Sequence, residues 1–209
     1  MRRNILLSIV AVMLVLAGAA QAQPFGAWVT LSGPTHGYIQ IPSHPSLNPT
    51  NAFTFEAWVA ISNSAASEDC RSIAGKGYVQ TWWLGQCTVL GQPTLRSYLK
   101  GGSSARNGGV IPRGVWTHIA VTYDGAKRRH YINGELAAEF NETGSLPTNG
   151  EPMRIGSDVN WTNTPAGAID EVRLWNVARS IAQIRANLNE RITTAQPGLV
   201  AVWTLDGSG

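Results

Sequence analysis

The sequence predicts an all-β fold, a sandwich or barrel, from three observations. The first is a meander at 114–140, three short strands joined by Asp124-Gly125 and Asn133-Gly134. Asn-Gly and Asp-Gly favour tight hairpin turns because a type I′ turn needs positive φ at both central residues. The second is the run 53–61, FTFEAWVAI, which carries bulky residues on both faces and so reads as a central strand. The third is composition: 22 Gly, 11 Pro and 8 Trp, with only 14% charged residues, in a 209-residue chain. That suits one all-β domain better than a helical bundle.

Taken in order, 27–31 and 38–41 read as a first strand pair, with Gly33-Pro34 and Gly37 turning between them. A proline-rich loop, 42–50, leads into the strand 53–61, where Phe53, Phe55, Ala57, Val59 and Ile61 share one face. Small polar residues make 62–68 a loop. Strands follow at 72–74, 78–84 and 94–99, and 101–109 is a Gly/Ser-rich exposed loop carrying Arg106 and Asn107. A meander cannot stand alone in water, so other strands must cover the face bearing Thr117, Ile119, Val121 and Tyr123. Lys127, Arg128, Arg129 and His130 read as a solvated hairpin edge, charge being a common guard against edge pairing. A short strand at 153–155, a polar loop 157–167 holding Trp161, and a strand 168–175 anchored by Ile169, Val172 and Leu174 come next. One helix is predicted at 181–189: Ser180 is a good N-cap, Gln183 completes a capping box, and Ile181, Ile184 and Leu188 form a narrow stripe for the sandwich edge. The strand 199–205 ends the pattern.

Residues 1–22 read as a cleaved signal peptide: Arg2 and Arg3, an apolar stretch too short to span a bilayer, then Ala20-Gln21-Ala22. The remaining domain, 23–209, is therefore expected to be secreted, to periplasm or medium, with no membrane insertion. Without Arg2 and Arg3 the 16 Lys+Arg against 13 Asp+Glu become 14 against 13, which gives no electrostatic reason to seek nucleic acid. The two cysteines of an exported chain, Cys70 and Cys87, suggest a disulfide whose loop would contribute about 3 kcal/mol in the chain-entropy model.

Read together, Ser46-Leu47-Asn48-Pro49, FTFEAWV (53–59), GVWTHIAVTYDG (114–125), YINGELAAEF (131–140), MRIGS (153–157), IDEVRLWNVARSIAQIRANL (169–188) and GLVAVWTLDGSG (198–209) resemble the concanavalin A-like lectin/glucanase superfamily, nearest its laminin G-like and pentraxin-like group. The resemblance covers nearly all of 23–209. It implies a jelly-roll sandwich of two curved antiparallel sheets with one short C-terminal helix. It also implies a structural calcium ion, with Asp170 at the usual acidic position. Relatives carry a second Asp in the first strand, where this chain has Leu31-Ser32-Gly33. The other reading of Asp170 is a strand-end carboxylate bonded to backbone or to an arginine. Chains ending like 198–209 often continue into a further module in this group.

Glucanases of the superfamily space their acids like ExDxxE along one strand face, which a retaining mechanism requires. The sequence has no such spacing. Glu135, Glu139 and Glu142 read as solvent-facing, Asp170 and Glu171 as alternating to opposite faces, and Glu68-Asp69 as lacking an acid/base partner. His36, His44, His118 and His130 make no zinc motif. Binding is better supported: aromatic rings beside a few placed polar groups hold sugars. The candidate contacts are Trp82, Trp83, Trp161, Arg106 and Asn107, while Trp58, Trp116, Trp175 and Trp203 read as packing residues. Three functions are compatible with the sequence: a secreted non-catalytic module recognising a glycan or glycoprotein surface, with or without calcium assistance; a structural or adhesive spacer of a larger cell-surface protein, open to a protein partner; and a divergent glycoside hydrolase or lyase.

Overall fold

The computed structural model describes residues 26–32, 37–62, 70–78, 80–99, 105–158 and 163–206, apart from the side chain of residue 32; the expected signal peptide and Trp161 lie outside them. The doubly bulky strand is central, as its pattern demands. It is β3 (Phe53–Ile61), paired on one side with β12 (Ala166–Trp175) and on the other with β8 (Thr117–Tyr123). The meander continues from β8 through β9 (Lys127–Ile132) to β10 (Glu135–Asn141). Asn133 and Gly134 turn the last hairpin with φ of 50° and 74°, the left-handed pair that a type I′ turn needs. On the far side of β12, β1 (Val29–Ser32) and β13 (Leu199–Trp203) pair with its two ends, completing a seven-stranded sheet. The second sheet has six strands in the order β2 (Ile39–Ile41), β11 (Met153–Ile155), β4 (Arg71–Gly75), β5 (Trp82–Val89), β6 (Gln92–Leu99), β7 (Arg106–Val110). Two antiparallel sheets and one short helix make the sandwich that the sequence implied.

The core lies between the sheets. Phe53, Phe55, Ile119, Val121, Tyr123, Ile169, Val172 and Leu174 from one side meet Ile73, Trp82, Leu84, Leu95, Leu99, Met153 and Ile155 from the other. Each large side chain buried this way contributes about 1.5–3 kcal/mol. The spacing 169, 172, 174 departs from a strand period of two because the ladder slips between Asp170 and Arg173. A β-bulge there takes up the extra residue, and Glu171 sits in it at a φ of 48°.

Several expectations change. The first strands are not a hairpin: β1 joins the seven-stranded sheet and β2 the six-stranded one, so the chain crosses between sheets at once. Residues 106–110 form β7 rather than the end of a loop. Only alternate members of 127–130 are solvated. Arg129 binds Asp124 and Glu139 at 2.7 and 2.6 Å, and Lys127 also pairs with Glu139. Arg128 and His130 lie opposite Tyr123 and Val121 and point inward. There Arg128 pairs with Glu142 and donates to Ser97 O at 2.9 Å, so Glu142 is buried too, contrary to the solvent-facing reading. Burial and the neighbouring Arg128 charge push His130 down to about 3, and it shares a 2.7 Å hydrogen bond with Ser97 Oγ. Finally, Asp170 and Glu171 do not diverge, because the bulge breaks the alternation.

The predicted helix is α1 (Ile181–Asn187), with its Ser180–Gln183 capping box in place. Seven residues are too few to be stable alone. It is held on the outer face of the seven-stranded sheet, not at the sandwich edge, with Ile184 against Ala120 and Tyr131. Residues 176–192 cover that face. Trp58 Nε1 donates to Leu188 O at 3.2 Å, and Arg173 donates to Asn187 O and Glu190 O at 2.8 and 2.6 Å.

Candidate functional site

The outer face of the six-stranded sheet follows directly from alternation. In β6, Leu95 and Leu99 point into the core, so Arg96 and Tyr98 point out. In β5, Trp82 points in and Trp83 out; Trp82 packs on Phe53 and Phe55 with ring centroids 6.0 and 6.1 Å away, and is a core residue. The Trp83 indole lies over Gly85, where any Cβ would come within 2.2 Å of the ring, and Nε1 donates to Ser72 Oγ at 2.7 Å. Glycine at 85 is therefore what lets the indole lie flat on the strand.

A turn brings a third ring. Gly77 N and Tyr78 N donate to the buried Asp158 carboxylate at 2.8 and 3.0 Å, which fixes the Tyr78 backbone. Gly75 leaves room for that carboxylate, since a Cβ there would lie 2.2 Å from it. Tyr78 packs edge-on to Trp83 at 5.3 Å and tilts against Tyr98 at 4.8 Å. The Cys70–Cys87 disulfide stands beside them, with Arg96 Nη1 at 3.7 and 3.9 Å from the two sulfurs. Cys70, Tyr78, Trp83 and Arg96 line a cavity of about 160 Å³. Asn107 is exposed and opposite Arg96 in the ladder.

Of the predicted contacts, the structure thus brings Trp83 and Asn107 to one face. Arg106 goes to the other side of β7, over the Phe140 ring at 5.5 Å. Tyr78, Arg96 and Tyr98 were not singled out, although the alternation of 94–99 around Leu95 and Leu99 carried the signal for the last two.

The charge on this sheet is one-sided. Its six strands contain Arg71, Arg96, Arg106 and Arg154 and no Asp or Glu. Among the described residues no carboxylate pairs with Arg96. Arg154 stacks on Tyr38 at 4.5 Å and bonds Gln40 at 3.2 Å, also without a carboxylate among those residues.

A second depression, about 450 Å³ and open, lies between Trp28 and Trp116, whose rings meet edge to face at 5.7 Å. Its floor is Ala60, Ala166, Gly167 and Ala168. Trp116 thus borders a groove instead of filling a sandwich end.

The surroundings of Asp170 do not fit a calcium ion. Its Oδ1 accepts the Glu171 N–H at 2.8 Å, which leaves only Oδ2 without a partner. Glu171 is engaged by Arg173 at 3.1 Å and Arg191 at 3.4 Å, and Asp206 by Arg191 at 2.8 Å. Calcium takes six to eight oxygens, and here a guanidinium already stands among the carboxylates. No group of three or more Asp, Glu, His or Cys among the described residues is arranged to hold a metal. Burial drives the Asp170 carboxyl up to about 7, with Glu171 and Asp206 adding repulsion against the pull of the Glu171 N–H and Arg191. No helix among the described residues is long and apolar enough to cross a membrane.

The fold is shared with solved structures of low sequence identity. A suggested carbohydrate-binding protein from Bacteroides ovatus ATCC 8483 aligns with a TM-score of 0.68 at 23% identity over 87% of this chain and 53% of its own. This chain therefore spans about half the length of that protein. The heptameric SAP-like pentraxin of Limulus polyphemus aligns at 0.63 and 12% identity, over 85% and 92%. Domain 4 of the GH43 extracellular arabinanase AbnA from Geobacillus stearothermophilus, solved with arabinotriose, aligns at 0.59 and 22% identity, over 79% and 78%. No curated protein matches the sequence. The sequence pattern of Laminin_G_3 matches residues 33–185, and the chain belongs to that family of the concanavalin A-like lectin/glucanases superfamily.

Proposed function

We propose that this chain is an exported, non-catalytic carbohydrate-recognition module whose site is the aromatic pocket of Tyr78, Trp83, Arg96 and Tyr98. The observation that carries the reading is the pocket itself: Tyr78 packed on both Trp83 and Tyr98 beside an arginine that no described carboxylate pairs with. Rings contact the apolar face of a pyranose, while Arg96 and Asn107 are placed for its hydroxyls. At about 160 Å³ the cavity is smaller than the roughly 300–1,000 Å³ of drug-sized sites, which suits one sugar ring at a time. Its described lining holds no acid/base pair, which supports binding without hydrolysis. The names of the Bacteroides and Geobacillus neighbours point the same way, although their likeness to this chain is in fold. Calcium has no part in this reading.

The spacer reading is favoured by one observation, that Trp82 and Trp83 are each only 1% exposed. A glycan array probed with the purified chain, with calcium and again with chelator, separates the two. Binding unchanged by chelation is the expected result. Binding abolished by chelation would restore the metal, and a blank array in both conditions would favour the spacer.

A further inference from the structure

We infer that the ligand is an acidic sugar, a pyranose bearing a carboxylate, which pairs with Arg96; this rests on the carbohydrate reading above. Two observations carry it. First, a guanidinium lines the cavity beside the disulfide, Nη1 lying 3.7 and 3.9 Å from the Cys70 and Cys87 sulfurs, and no carboxylate among the described residues pairs with it. Sulfur is a weak acceptor and satisfies little of a five-donor fork. Second, Arg96 and Arg154 lie on the outer face of this sheet, since Leu95, Met153 and Ile155 beside them point into the core, and the six strands carry no acidic residue. Among the described residues, the buried carboxylate beside it, Asp158, already accepts the Gly77 and Tyr78 N–H groups. A neutral sugar would leave the Arg96 guanidinium without a charged partner.

The geometry matches the chemistry. A carboxylate accepts a planar fork of two parallel N–H bonds from arginine, a contact that lysine cannot copy. With the acid on Arg96, the ring lies against Tyr78 and Tyr98, and Asn107 is within the same face for a hydroxyl. Arg154, stacked on Tyr38, extends the same charge along β11 and suits a second acidic residue of an oligosaccharide.

The test uses the full purified chain on an array of uronate- and sialate-bearing glycans printed beside their carboxyl-reduced forms. Reduction replaces each carboxylate by a neutral hydroxymethyl and leaves linkage and ring intact. The expected result is retention of one or more acidic glycans, with about tenfold or greater loss on reduction. For the best acidic glycan, Arg96→Gln should remove that preference while near-ultraviolet circular dichroism stays unchanged, and Arg96→Lys should restore only part of it. Added salt should weaken the wild-type contact. If the reduced forms bind as well as the acidic ones, or better, the acidic-sugar inference is overturned and the carbohydrate reading stands. If neither form binds and neutral glycans also fail, the carbohydrate reading itself falls. If Arg96→Gln keeps the preference, Arg96 is not the recognising group.

Discussion

The two sheets have the same inner chemistry and opposite outer ones. On the seven-stranded sheet, polar side chains point outward from β3, β8 and β12, and the chain's own residues 176–192 fold over them. Glu56 meets Arg179 at 2.6 Å, His118 at 3.5 Å and Arg173 at 3.9 Å, all buried. Arg179 also stacks on Trp175 at 4.0 Å. On the six-stranded sheet the outward residues are rings and arginines, and the described residues bring no acid to Arg96. One outer face is closed by internal partners; the other presents rings and the Arg96 guanidinium, for which the described residues supply no acid. In a fold that serves many functions, that difference supports the proposed site more than the fold alone does.

The comparison breaks most visibly if the closed face is opened. Glu56→Ala leaves Arg179 and Arg173 buried without their carboxylate, and such losses cost about 3–5 kcal/mol. Denaturant unfolding should show this, and it should leave sugar binding by the folded fraction intact. A cost under about 1 kcal/mol would mean that the network is not what holds residues 176–192 down.

Asp170 supplies the next test. Its carboxyl sits near 7 in the fold, above its usual 3.8, so between roughly pH 4 and 7 the folded state holds a proton that the unfolded state has lost. Its contribution to stability therefore falls as pH rises through that window. Asp170→Asn keeps an acceptor for the Glu171 N–H and should remove this fall. The wild-type and variant stability curves should diverge by about 3 kcal/mol from pH 4 to pH 8, the variant gaining. Calcium and chelator should move neither curve. A calcium-dependent rise in the wild-type melting temperature would instead mean that Arg191 yields to the ion.

How far these contrasts were legible in the sequence depends on what each needed. The meander, the central strand and the capping box are local signals, and they predicted β3, β8–β10 and α1 to within a residue or two. The family resemblance rests on their order. Long-range choices were invisible: nothing local sends β1 and β2 to different sheets, or turns Arg128 and Glu142 inward as a pair. The bulge at Glu171 also escaped, because a strand period gives no warning of one inserted residue. The site was half legible. Trp83 and Asn107 stood out by residue type, but Arg96 and Tyr98 needed the inward direction of Leu95 and Leu99 to be applied to their neighbours. Tyr78 depended on a turn held by Asp158, 80 residues away in sequence.

Within the open face, the scaffold can be separated from the contact surface. Gly85→Ala places a methyl where the Trp83 ring lies, so the indole must lift. The expected cost is about 1–3 kcal/mol of stability, as for other overpacked sites. Glycan binding should fall with it, because the pocket floor has moved. Intact binding with lost stability would detach Trp83 from the site.

Tyr98→Ala is the mildest change and the most discriminating. Tyr98 is half-buried, its contact with Tyr78 is one aromatic pair, and such pairs contribute about 0.5–1.5 kcal/mol beyond burial. Stability should drop by about that much in a denaturant titration. Removing a ring that a pyranose rests on should weaken glycan binding about tenfold in a calorimetric titration, with the acid-over-neutral preference unchanged because Arg96 is untouched. A spacer protein predicts the first effect without the second. A site centred on the Trp28–Trp116 groove predicts the same, and Trp28→Ala would then take the binding loss that Tyr98→Ala did not. The open face of the six-stranded sheet is the functional face only if Tyr98→Ala lowers stability and glycan binding together while the acid-over-neutral preference stays.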